Sequence, residues 1–131
     1  MSKVKWLDRR ISAPGPYLAL VTSNAEYNAA LKHVNAKAVG DWIKSPQAHA
    51  TTHLLNNPDR GLICIVAINA APERTAIEVA GLLVHEAVHV VQEHFKWIGE
   101  YNPAQEQQAY AIQCVAQELL LAYAEKIGEQ L

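Results

Sequence analysis

Cysteine is scarce in this 131-residue chain: Cys64 and Cys114 are the only two, and no C-x-x-C pair occurs. No cysteine framework holds the fold, and both thiols read as small core residues in a reducing compartment. An excess of one charge is also missing. Eleven Lys and Arg stand against thirteen Asp and Glu, a net charge of -2, which gives no electrostatic reason to expect nucleic acid or an anionic membrane as partner. No apolar run reaches the length of a membrane span. The charges of Lys3, Lys5, Asp8, Arg9 and Arg10 are not followed by an apolar stretch, so no secretory signal is expected. Internal repeats and low-complexity segments are absent as well. What remains is 50% hydrophobic and 18% charged, ordinary for a globular protein and long enough for one domain with its own core. The expectation is a single domain over residues 1–131, located in the cytoplasm.

Residues 1–16, with Pro14-Gly15-Pro16, read as an irregular arm apart from a short strand. Residues 17–22 are short and rich in strand formers. Ser23 and Glu26 then fit a capping box that opens a helix running to about Lys37. Residues 39–47, with Gly40, Trp42 and Pro46, read as a loop or short helical turn. Two strands follow, 48–55 and the β-branched run 62–68, and the turn residues Asn56, Asn57, Pro58, Asp59, Arg60 and Gly61 join them as a hairpin. After a connection at 69–74, Thr75 and Glu78 form a second capping box, so a helix starts near residue 76 and ends between His94 and Ile98, before Gly99. Asn102 caps the last helix, with Pro103 at its first position; it runs to about Ile127, with Gly128 just beyond. The class is α+β: a short antiparallel or mixed sheet on one side, with the helices packed together.

His85-Glu86-Ala87-Val88-His89 carries the chemistry. It fits H-E-x-x-H, in which one helix face supplies two zinc ligands and a base. Residues four apart stack on one side of a helix, so His85 and His89 can converge on one cation. Glu86 sits beside that face, within reach of a metal-bound water. From 79 to 91 the chain is apolar except for the motif and Gly81, and a helix apolar nearly all round is buried. Buried polar groups need partners. Two core histidines hydrogen-bonded to backbone or to Glu86 are the bland reading; a metal site is the sharper one.

A catalytic zinc takes three protein ligands and keeps a fourth position for water. A histidine six positions after His89 would complete one familiar arrangement, but Phe95 is there and His94 misses by one. The carboxylates Glu93, Glu100, Glu106 and Glu118 are next. Glu93, one turn beyond His89, suits a supporting or surface role, and Glu118 lies about three turns too far along the last helix. Glu106, in the first turn of that helix, is preferred to Glu100 in the loop, although spacing alone does not separate them.

The segment Leu83-Val84-His85-Glu86-Ala87-Val88-His89-Val90-Val91-Gln92, with the later Glu106-Gln107-Gln108-Ala109-Tyr110, resembles zincin-type metallopeptidases of the gluzincin kind. It is also similar to small metallopeptidases of bacteriophages and prophages. The resemblance covers roughly residues 48–125; its H-E-x-x-H element is quite specific and E-x-x-A-Y is weak. It implies a zinc cofactor, His85, His89 and Glu106 as ligands, Glu86 as general base, and the strand at 62–68 bordering the cleft. For a phage-encoded chain it implies the host cytoplasm or the virion.

The expected function is therefore hydrolysis of a peptide bond by a zinc-bound water that Glu86 activates. The substrate is a peptide or protein lying extended along an edge strand. Two alternatives stand beside it: a non-catalytic phage structural or assembly protein whose zinc ties two helices, marked by a closed site completed by His94 or Glu100, and a hydrolase of another bond such as a peptidoglycan amide. Among the remaining residues, His49 and His53 share a strand face with Thr51 and Leu55, and His33 reads as solvent-facing. His94, Tyr101 and Tyr110 are candidate oxyanion donors, with packing the plainer role for each. Trp6, Trp42 and Trp97 read as core or rim anchors.

Overall fold

The computed structural model describes residues 4–7, 16–37, 40–43, 49–57, 61–69 and 74–130. In chain order these form β1 (Tyr17–Val21), α1 (Asn24–His33), β2 (Ala50–Asn57), β3 (Gly61–Ile68), α2 (Ala76–Trp97) and α3 (Gln105–Gln130). The class is α+β, as expected. The strands make one mixed sheet in the order β1-β3-β2. β1 runs parallel to β3, with Leu18 opposite Cys64, and β2 runs antiparallel to it, with Thr52 opposite Val66. Parallel neighbours need a crossover, and α1 lies on that path.

The unbroken apolar run of β3 has a direct cause. Leu62, Cys64, Val66 and Ile68 join Leu18 and Leu20 of β1 in a core shared with α2 and α3. Ile63, Ile65 and Ala67 face the other way, into a second core with Tyr27, Ala30 and Leu31 of α1. A central strand covered on both faces needs apolar residues on both, and each fully buried Ile or Val is worth about 1.5–3 kcal/mol. The helices therefore do not all pack together. α1 covers the face of the sheet opposite α2 and α3, because β3 has two apolar faces to bury.

Helix ends follow local chemistry. α1 stops at His33, four residues short of the expected Lys37. Asn35 takes φ 56, and Ala36 and Asn35 donate their backbone N–H groups to the carbonyls of Leu31 and Lys32. That is the Schellman arrangement. α2 ends the same way at Gly99 (φ 81), with Glu100 donating to Phe95 and Gly99 to Lys96. At its start the Thr75–Glu78 capping box is complete. The Ser23–Glu26 box is half formed: Ser23 caps Glu26, but the Glu26 carboxylate accepts from Thr22 instead. α3 begins two residues after Pro103, with the Ala104 carbonyl accepting from Gln108, and it continues through Gly128 to Gln130.

Trp6 and Trp42 pack against the second core, and Trp97 donates to Asn56 Oδ1 at 3.1 Å, so all three are anchors. Of the N-terminal arm, Leu7 is buried and its N–H bonds the Leu18 carbonyl. The rest of that arm beyond 4–7 and Pro16, the tip of the hairpin turn at 58–60, and most of the connections 39–47 and 69–74 lie outside the described residues. Among the described residues no helix is long and apolar enough to cross a membrane.

Candidate functional site

α2 presents two unlike sides. Val79, Leu83, Ala87, Val90, Val91 and Phe95 are buried, as is His94. Gly81, Val84, His85, His89 and Gln92 are exposed. The expectation of a helix buried all round is thus corrected: the sheet and α3 cover one side of α2 and leave the histidine side open. α2 packs on β2, β3 and α3, whereas α3 reaches β1, so the open side of α2 looks out past the β2 edge.

There His85 and His89 turn their Nε2 atoms toward each other at 3.2 Å, with the rings at 75°. Two ligand nitrogens about 2.0–2.1 Å from one tetrahedral zinc stand about 3.3 Å apart, so the pair fits two positions of such an ion. Glu86 is only 5% exposed. One of its oxygens, Oε1, accepts a hydrogen bond from the Thr52 hydroxyl of β2 at 2.7 Å. The other, Oε2, lies 3.9 Å from His85 Nε2. A cleft of about 370 Å³ runs between the two elements, lined by Ala50, Thr51, Thr52 and Leu54 from β2 and by His85, Glu86, His89, Gln92 and Glu93 from α2. A cation, an acceptor for protons and an extended chain can be held side by side in it.

The structure gathers His85, Glu86 and His89 as expected and leaves Glu106 apart. Glu106 is exposed in the first turn of α3 and does not line the cleft. Among the described residues no group of three or more His, Cys, Asp and Glu side chains stands ready to hold a metal ion. The physical reason is the placement of α3, which packs on the flank of α2 turned toward β1. Glu100 is exposed in the loop and also lies outside the cleft lining. Glu93, set aside in the sequence, is the second carboxylate of the cleft. The strand at 62–68 does not line it either; as β3 it is the central strand, and the edge strand β2 takes that place.

The candidate oxyanion donors are elsewhere. Tyr101 is 81% exposed and Tyr110 62%, and His94 is buried against the core, where burial lowers its pKa. His53 faces the second core and donates Nε2–H to the Trp42 carbonyl at 2.8 Å, with Tyr27 stacked on its ring. His49 meets Arg74. His33, exposed as expected, accepts from Trp6 at 3.2 Å. Burial, reinforced by the charge of Glu93, pushes the Cys64 thiol up to about 12, as suits a small core residue.

Thr52 and Gln92 were not singled out by the sequence. The signal for Thr52 was present: if 51, 53 and 55 share one face of the strand, then 50, 52 and 54 share the other. What the pattern left open was which face meets the motif helix. Protein-family models, curated proteins and solved structures gave no match to this chain.

Proposed function

We propose that this chain is a zinc-dependent peptidase in which His85 and His89 supply two of the metal's three protein ligands and Glu86 is the general base. The observation that carries this is the pair of imidazole nitrogens 3.2 Å apart beside a buried, hydrogen-bonded carboxylate. When bound, zinc supplies Lewis acidity, polarising a carbonyl and bringing the pKa of a coordinated water to about 7. Glu86 accepts the proton of the attacking water at Oε2, the oxygen left toward His85, and passes it to the leaving amine. β2 is an edge of the described sheet, and its main chain receives an extended peptide by strand addition. Leu54 supplies an apolar wall and Gln92 an amide at the mouth. The reducing compartment suggested by the two cysteines is the cytoplasm. The non-catalytic alternative needs a closed ligand shell, and the His85 side chain is 67% exposed, which favours the open, catalytic arrangement.

Purified protein is expected to carry close to one zinc per chain, and the double variant His85→Ala/His89→Ala none, by elemental analysis. Stoichiometric zinc in the double variant would place the metal elsewhere.

A further inference from the structure

We infer that Thr52 keeps Glu86 off the metal, holding its carboxylate in the role of proton acceptor where it would otherwise become a ligand. The inference rests on the reading of His85, Glu86 and His89 as a metal-dependent site, and it concerns a residue on a different element. Glu86 is next in sequence to His85, and its Oε2 is 3.9 Å from His85 Nε2. Two atoms ligating one tetrahedral zinc stand about 3.3–3.5 Å apart. A carboxylate oxygen this close to one of the two histidine nitrogens, beside a dication, is drawn inward unless something restrains it.

The restraint is the 2.7 Å bond from Thr52 Oγ1 to Oε1. Hydrogen bonds to a carboxylate are shorter and stronger than those between neutral groups. This one pulls Oε1 toward the sheet and so leaves Oε2 facing the cleft. The donor is itself held firmly. Thr52 lies within β2, paired with Val66 of the central strand, and a β-branched side chain on a strand has little rotamer freedom. Its neighbours on the same face, Ala50 and Leu54, carry no donor. Thr52 is thus the residue of this stretch of β2 whose side chain bonds the Glu86 carboxylate.

A positioning residue of this kind predicts opposite changes in two properties. Thr52→Val keeps shape and volume but removes the donor. Its zinc dissociation constant, by competition with a chromogenic chelator, is expected to fall on the order of tenfold as Glu86 joins the metal. Its hydrolysis of denatured casein is expected to fall at least about tenfold. Thr52→Ser restores both. The double variant Thr52→Val/Glu86→Gln binds zinc no more tightly than Glu86→Gln, because an amide is a poor ligand. A hydrogen bond that only stabilised the fold would give the other sign, with zinc bound equally or more weakly in Thr52→Val. That result, or tightening that persists without Glu86, overturns the inference. Should valine prevent folding, Thr52→Ala also lacks the donor and is read by the same criteria. Wild type without zinc would sink the proposed function itself, whereas wild type with zinc and no tightening in the variant would sink this inference alone.

Discussion

Glu86 and Glu93 sit seven residues apart on the same flank of α2 and meet different surroundings. Glu86 is almost wholly buried and tied to Thr52. Glu93 is half-buried at the cleft, and its charge adds to the burial that raises the Cys64 thiol. A negative charge lining the cleft favours a dication there even without a direct bond. Glu93→Ala is therefore expected to weaken zinc binding several-fold, whereas Glu106→Ala leaves it within about twofold. Titration calorimetry of the two variants checks this, and the reverse ranking would return the third ligand to α3. The sequence favoured Glu106 on the condition that α2 ends near His94, when a loop of about eight residues lets the chain return to the level of His89; α2 runs on to Trp97. Loop length fixes that level but not the flank of α2 on which α3 lands. Packing against β1 decided the flank, and that is a tertiary fact no local pattern contains.

The elements themselves were more legible than their arrangement. Thr75 and Glu78 announce the start of α2 through side chain to backbone bonds that are local in sequence, and the structure contains both. The hairpin was legible for a similar reason: strand formers on both sides of turn residues leave few other options. The end of α1 was not, because an asparagine in the left-handed region is one of several outcomes open to that residue. Gly61 shows how a turn residue acquires a second duty. It opens β3 at φ 87, and a Cβ there would come within 3.1 Å of Trp97 Cη2. Trp97 in turn bonds Asn56, so the end of α2 is fastened across the mouth of the hairpin. Gly61→Ala is expected to cost about 1–3 kcal/mol through backbone strain and crowding, read from denaturant unfolding. A variant as stable as wild type would show that Trp97 yields freely and that the fastening is loose.

At the scale of the molecule, a three-stranded sheet lies between α1 on one face and α2 with α3 on the other. Lys126 of α3 reaches Glu26 of α1 at 2.9 Å past the β1 edge, and among the described residues no further strand pairs with β2 at the opposite edge. Burial raises the Glu26 pKa, but its bonds from Thr22 and Lys126 outweigh that and leave it below the ordinary carboxylate value. One edge of the sheet is thus closed by an ion pair while the other borders a cleft. The motif was legible because i, i+4 spacing is a property of any helix. The cleft was not, because it depends on which strand ends the sheet. The central claim is that Glu86 is a base rather than a ligand at that edge, and the most direct test measures zinc content and hydrolysis together in Glu86→Gln. Glutamine keeps the shape of the side chain but cannot take a proton. Zinc is expected at wild-type stoichiometry, with hydrolysis of denatured casein lower by at least about 10²-fold. Loss of zinc in this variant, or hydrolysis equal to wild type, would contradict that claim.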